Sequence, residues 1–193
     1  MKYRKTVTLK DGRECLIRNG AEADAKAVMD NFLLTHEETD FLTSYPDEVH
    51  FTEEGEAAFI KDREESPCSA EIVAEVGGKV VGTAGIDRIG AYEKVRHRAR
   101  FGISIAKDHW GLGIGRALTE ACIECAKAAG YLQLELEAVA ENKKAVALYE
   151  SVGFTEYGRN PLGFRSRLTG MQEVILMRLD LSGEIYKYYL LYS

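Results

Sequence analysis

The stretch from Ile103 to Ala129, ISIAKDHWGLGIGRALTEACIECAKAA, constrains this chain more than any other. An apolar run ending near Ile105 leads into a turn with glycine at Gly111, Gly113 and Gly115, and a helix-period run starts at Ile114. Glycines at alternate positions carry no Cβ, so successive main-chain N–H groups can turn toward one point. The free N–H groups of the helix start add partial positive charge there. Such a loop grips a phosphate or diphosphate without a lysine. Two phosphate motifs are excluded by spacing: GxxxxGK[ST] is absent, and GxGxxG fails because Arg116 and Leu118 stand where its third glycine belongs.

This piece resembles the acetyl-CoA diphosphate loop of the GCN5-related N-acetyltransferases, an Arg/Gln-x-x-Gly-x-Gly/Ala pattern between the fourth strand and its following helix. Trp110 stands at the Arg/Gln position, a departure at a place where only the backbone is expected to touch phosphate. A second motif follows in the right order. From Glu137 to Phe154 the chain reads EAVAENKKAVALYESVGF, similar to the family's closing pattern of Asn, then Ala, then Leu-Tyr, then Gly-Phe. Asn142 and Tyr149 are seven residues apart, two helical turns, and so share a face. Gly153 suits the C′ position that ends this helix, and Phe154 opens the next strand.

The resemblance implies a mixed α/β fold: a central, mostly antiparallel, twisted sheet flanked by helices and splayed between the fourth and fifth strands, where the cosubstrate enters. It implies acetyl-CoA as acyl donor, no metal, a primary amine as acceptor and direct attack in a ternary complex. Acetyl-CoA is expected on Ile103 and Ile105 of the strand, on Gly111, Leu112, Gly113, Ile114, Gly115 and Arg116 of the loop and helix start, and on Asn142 and Tyr149. Tyr149 is the expected acid at the departing sulfur, the main-chain N–H near Ile105 the expected polariser of the thioester carbonyl, and Asn142 also a natural N-cap. Many relatives carry a glutamate on the fourth strand, yet Arg98 to Ala106 contains no carboxylate. Asp87, His97, Glu135 and Glu137 stay open as proton acceptors, as does loss of the proton before binding. The run from Gly153 through Met177 resembles the bacterial small-molecule and ribosomal-protein-alanine branch. A CoA-binding sensor without turnover, or an enzyme using another acyl-CoA, are the alternatives.

A length of 193 residues suits one domain, expected over residues 1–182, with a tail over 183–193. An apolar content of 46% with both periodicities visible fits an ordinary globular chain. The net charge of −6 argues against general nucleic-acid binding and suits cationic amines, either small molecules or protein N-termini. With no apolar run near the ~20 residues that span a bilayer and no apolar stretch after Met-Lys-Tyr-Arg-Lys, the expectation is a cytoplasmic protein without membrane partners. Cys15, Cys68, Cys122 and Cys125 read as reduced core thiols. The aromatic tail from Glu184 to Ser193 suggests packing on the domain or on a second subunit, hence a homodimer.

Taken in order, Thr6 to Arg18 reads as a hairpin or a broken first strand. Ala21 to about His36 is a helix with Ala25, Val28, Met29, Phe32 and Leu33 on its stripe, and Thr52 caps a second helix ending near Glu65. In the connection between these helices, His36, Glu37, Glu38, Asp40, Phe41 and Tyr45 are candidates for an amine pocket, against the plainer reading of a solvated loop. Glu71 to Ile86 is a hairpin turning on Gly77-Gly78, and the antiparallel run continues over Arg96 to Ala106. The cluster Arg96, His97, Arg98 and Arg100 suits a CoA phosphate or an exposed strand face equally. Leu132, Leu134 and Leu136 alternate with polar residues in a fifth strand, and Phe154 to Arg159 and Met171 to Leu181 supply the last two around a loop.

Overall fold

The computed structural model describes residues 2–183. Its elements are β1 (Arg4–Thr8), β2 (Glu14–Asn19), α1 (Ala25–Glu38), α2 (Glu53–Glu65), β3 (Ala70–Val76), β4 (Lys79–Arg88), β5 (Arg98–Ile105), α3 (Ile114–Ala128), β6 (Gln133–Val139), α4 (Lys143–Ser151), β7 (Thr155–Ser166) and β8 (Gly170–Asp180). The strands form one eight-stranded sheet in the order β1-β2-β3-β4-β5-β6-β8-β7. Every neighbouring pair is antiparallel except β5 and β6. The first segment therefore forms two strands, so the expected fourth and fifth strands are β5 and β6.

Local chemistry accounts for the joints. Gly77 and Gly78 have φ of 57° and 78°, the left-handed pair that a two-residue hairpin between right-twisted strands requires. Thr52 accepts a hydrogen bond from the Gly55 N–H at the start of α2, as its cap position predicts. Gly130, with φ 80°, ends the turn after α3.

Alternation along the strands sends side chains to two different cores. Ile72, Ala84, Ile86 and Phe101 join Leu118, Ala121 and Cys122 of α3 in the larger one, while Val73 packs with Ala25, Val28 and Ile60 beneath α1 and α2. The sheet is thus covered by α3 on one face and by α1 and α2 on the other. All four cysteines are free, and Cys15, Cys122 and Cys125 are buried.

Two elements differ from the sequence reading. A short 3-10 turn over Glu22–Asp24 precedes α1, and the buried positions of α1 include Asn31, Thr35 and His36, where the apolar stripe pointed to Met29, Phe32 and Leu33. The reason is that Phe32, Thr35 and His36 of this helix line a groove and not a core. The segment after Arg159, read as a loop, continues as β7 to Ser166, with irregular pairing between Asn160 and Phe164. Pro161 and the exposed Leu162 hid that strand, because an edge strand tolerates a residue without an N–H where a central strand does not. The tail from Glu184 to Ser193 lies outside the described residues.

Candidate active site

The site begins where β5 and β6 separate. They pair only at Arg98–Gln133, Ala99–Leu134 and Arg100–Glu135, after which Phe101 to Ile105 and Leu136 to Val139 run on without pairing to each other. Such a gap leaves main-chain donors and acceptors that a β-like partner can satisfy. A groove of about 1370 Å³ runs through it, lined by Gly102, Ile103 and Ile105 on one side and by Leu136, Asn142 and Tyr149 on the other.

At one end of the groove the glycine loop opens α3. Gly111 and Gly113 have φ of 79° and 104°, conformations that L side chains rarely adopt. The first intrahelical bond runs from the Ala117 N–H to the Gly113 carbonyl at 3.1 Å, which leaves the Ile114, Gly115 and Arg116 N–H groups without helical partners. Together with the helix dipole they concentrate partial positive charge at this end of the groove. The loop is anchored by the Lys10 N–H, which donates to the Leu112 carbonyl at 3.1 Å.

Gly115 has a different task from the other two glycines. It is helical, and a Cβ there would stand 3.0 Å from Leu148 Cδ2, so it allows α4 to pack closely on α3. Ile114 is buried in the core and Leu112 packs against it, so only their backbone can meet a ligand. The Arg116 guanidinium donates to Ser151 Oγ at 2.7 Å and lies 3.5 Å from Glu120. At the position where the expected pattern has Arg or Gln, the Trp110 indole donates to the Ile105 carbonyl at 2.7 Å and so braces the end of β5 against the loop.

Tyr149 comes from α4, which Asn142 caps by accepting from the Ala145 N–H at 3.3 Å. Its ring meets Phe101 and Phe154 edge-on at 6.1 and 6.0 Å. Burial pushes its phenol up to about 12. Asn142 and Tyr149 both line the groove, as their spacing requires.

The segments beside the far end of the groove are brought together from distant parts of the chain. Asp40 accepts hydrogen bonds from Ser166 at 2.6 Å, Thr169 at 2.9 Å and Gln172 at 3.1 Å. The Arg167 guanidinium stacks on Tyr45, 4.2 Å from the ring centroid, and pairs with Asp47 at 2.8 Å. These contacts clasp the loop after α1 to the β7–β8 turn. Glu38 accepts from the Lys107 N–H at 2.7 Å, and His36 Nδ1 lies 2.7 Å from the Phe32 carbonyl. The carboxylates of Asp40 and Glu38 therefore hold the protein together, while Phe41 and His36 line the groove. Burial lowers the His36 pKa, which favours the neutral ring.

The open choices for a proton acceptor divide in the same way. Glu135 is gripped by Arg98 and Gln133, whose hydrogen bonds outweigh its burial and keep its pKa low. Asp87 pairs with Arg63, and Glu137 lines the groove from β6. His97 is not among the groove's lining residues. The arginine cluster likewise separates, with Arg98 bound to Glu135 and Arg100 facing the groove beside Asp87.

A carboxyl that sequence reading passed over is Glu71, which lies in the groove over Gly85 of β4. A signal was present: one acid inside the otherwise apolar run Ala70 to Ala74 of an interior strand, where both faces are covered. Among the described residues, no group of three or more His, Cys, Asp or Glu could hold a metal, and no helix is long and apolar enough to cross a membrane.

A twisted sheet with one parallel pair, opened at that pair over a glycine loop and helix start, defines the acyl-CoA-dependent acetyltransferase class. The chain belongs to the acetyltransferase (GNAT) family, whose profile it matches over residues 31–154. Similar solved structures include the acetyltransferase of the GNAT family from Streptococcus pneumoniae, at 31% identity and TM-score 0.79, covering 85% of this chain and 97% of that one. The ribosomal-protein-alanine N-acetyltransferase from Brucella melitensis is similar at 27% identity and TM-score 0.74, over 85% and 98% of the two chains. Among curated proteins, N-acetyltransferase 8 of Rattus norvegicus is 33% identical over 106 residues, 54% of this chain and 46% of that one. The ribosomal protein bS18-alanine N-acetyltransferase of Escherichia coli K12 is 38% identical over 84 residues, 42% and 55% of the two chains. The chain thus spans about half the length of the curated relatives it matches.

Proposed function

We propose that this chain transfers the acetyl group of acetyl-CoA to a primary amine, on a small molecule or a protein N-terminus, by direct attack in a ternary complex within one domain. The observation that carries this reading is the alignment of three features along one groove: the N–H cluster from Gly111 to Arg116, the unpaired edges of β5 and β6, and Tyr149 beyond them. The N–H cluster suits the diphosphate, and the strand edge around Ile103 and Ile105 suits the amide-rich pantetheine arm.

The chemistry needs a proton acceptor for the amine and stabilisation of the departing sulfur. With its phenol pushed up to about 12, Tyr149 keeps its proton at any working pH. A CoA thiol resembles cysteine at roughly 8.5, so full transfer from this phenol to the thiolate is uphill. Tyr149 therefore acts by donating a hydrogen bond at sulfur as negative charge develops, and the thiolate acquires its proton in the step that neutralises the new amide.

Calorimetry with acetyl-CoA, followed by free-thiol detection over polyamines, aminoglycosides and peptides with a free N-terminus, tests the reading. Acetyl-CoA binding with thiol release on one of these amines is the expected result. Absence of binding removes the reading.

A further inference from the structure

Register puts a row of glycines around one carboxyl. Glu71 of β3 lies opposite Gly85 of β4, and Gly85 lies opposite Gly102 of β5. On its other side, the Gly20 N–H donates to the Glu71 carbonyl at 2.9 Å. Residues directly opposite on neighbouring strands point to the same face, so the Glu71 side chain extends across a strip of sheet that carries no side chains of its own.

The consequences are steric and specific. A Cβ at Gly85 would stand 2.8 Å from Glu71 Oε2, so the carboxyl occupies the space that a side chain would fill there. A Cβ at Gly102 would meet nothing within 4 Å, and Gly102 is exposed although it lies inside a central strand. The strip over Gly102 is therefore an open part of the groove, about one strand spacing, ~5 Å, from the carboxyl. Phe101 and Gly102 are consecutive in β5 and point to opposite faces; Phe101 packs against Tyr149, and Gly102 faces Glu71 across Gly85. The edge strand of the gap is thus flanked by a phenol on one face and a carboxyl on the other.

We propose that Glu71 is the catalytic base: its carboxylate binds the acceptor's ammonium group over Gly102 and takes a proton from it. The proposal rests on the N-acetyltransfer reading above. An ammonium RNH3⁺ gives one proton to the carboxylate, and the freed nitrogen lone pair forms the bond to the thioester carbonyl carbon. The C–S bond breaks with its electron pair on sulfur. The nitrogen then loses a second proton, which ends on the thiolate, leaving the amide, the free thiol and a protonated Glu71 that releases its proton to water.

The groups facing Glu71 support a base that works near neutrality. Burial pushes its carboxyl up to about 8, with Arg63 of α2 opposing the rise and Glu56 of α2 and Asp87 of β4 adding to it. Arg63 is itself paired with Asp87, Arg100 of β5 lies opposite Asp87, and His36 of α1 lines the same groove. An incoming cation favours the carboxylate, so amine binding charges the base that the reaction needs.

The test compares the full chain with Glu71→Gln and Gly102→Val, using acetyl-CoA and the fastest amine of the panel named above. Glu71→Gln is expected to bind acetyl-CoA within about two-fold of wild type, to lose about 10²-fold or more in kcat/KM, and to lose the acidic limb of the kcat/KM profile near pH 8. A readout independent of turnover is thermal stability. The folded pKa of Glu71 lies above the unfolded value, so its neutral form favours the fold at low pH, and that contribution is lost as pH rises toward 8. Glu71→Gln should therefore gain melting temperature over wild type between pH 5 and pH 8. Gly102→Val, whose Cβ meets nothing within 4 Å and whose two further methyl carbons reach into the groove, should fold, bind acetyl-CoA and lose amine turnover. Wild-type rates and an unchanged pH profile in Glu71→Gln, with acetyl-CoA binding intact, overturn the proposal alone. A wild-type chain that binds no acetyl-CoA, or that acetylates no amine of the panel, overturns the functional reading and the proposal with it.

Discussion

The donor end and the acceptor end of the groove are built by different means. On the proposed reading the donor end comes from two contiguous runs, Ile103 to Arg116 and Asn142 to Tyr149, which offer main-chain N–H groups and one ring to the groove. The acceptor end joins α1, the loop after it, β3, β4 and the β7–β8 turn, and it is held by side chains: Asp40 reaches Ser166, Thr169 and Gln172. Backbone geometry is set locally by glycine and by a helix start, whereas a side-chain clasp between residues more than a hundred positions apart exists only in the folded chain. The lesson is that a backbone device is written in a few neighbouring residues, whereas a side-chain clasp is written only in the fold.

This contrast breaks most visibly at Tyr149. Tyr149→Phe should lower kcat by about 10²-fold while leaving acetyl-CoA affinity within about two-fold, because only the charge developing at sulfur loses its donor; steady-state kinetics with calorimetry checks both numbers. Equal losses in rate and acetyl-CoA affinity would instead make the tyrosine a packing residue of the donor end.

A somewhat smaller effect is expected at the clasp. Asp40→Ala leaves the Ser166, Thr169 and Gln172 donors without their acceptor and should cost about 2 kcal/mol of stability. It should raise KM for the amine and leave acetyl-CoA binding unchanged. Hydrogen bonds from Ser166, then Thr169 and Tyr45, hold the Asp40 pKa below its ordinary value against some desolvation. Because the folded pKa is the lower one, this contribution is complete above the unfolded value near pH 4 and is lost as pH falls through the folded one. The melting temperatures of wild type and Asp40→Ala should therefore draw together as pH falls below about 4.

Gly113→Ala sharpens the comparison from the other side. At φ 104° an alanine costs about 1–2 kcal/mol, so acetyl-CoA affinity should fall about ten-fold while KM for the amine stays near wild type. The smallest effect belongs to Thr52→Ala, which removes the cap of α2 for about 1 kcal/mol, read as a lower denaturation midpoint with both substrates still bound. A change in either affinity there would show that α2 is coupled to the groove beyond its packing.

Legibility followed the same division. The spacing of Asn142 and Tyr149, the caps at Thr52 and Gly153, and the glycine turns at 77–78 and 111–113 were readable because each depends on neighbours within one or two turns of chain. Gly115 was grouped with the loop glycines because spacing alone does not separate a positive φ from a close helix approach; only Leu148 at 3.0 Å does. Glu38 and Asp40 read as an amine pocket because their partners, Lys107 and the β7–β8 turn, are far away in sequence. Glu71 was passed over for the converse reason: in sequence it is one acid in a strand, and its neighbourhood of glycines appears only across four strands.

By itself, the sequence determined the order of strands and helices, the backbone device at the start of α3 and the face that presents Tyr149. These follow from torsional freedom, helical periodicity and capping, which act over a few residues. Tertiary structure alone decided that the expected splay of β5 and β6 begins after Arg100, which carboxylates are spent on holding loops, and that Glu71 looks across glycine toward the gap. Those outcomes depend on register and desolvation between segments that meet only when the sheet closes over its two cores.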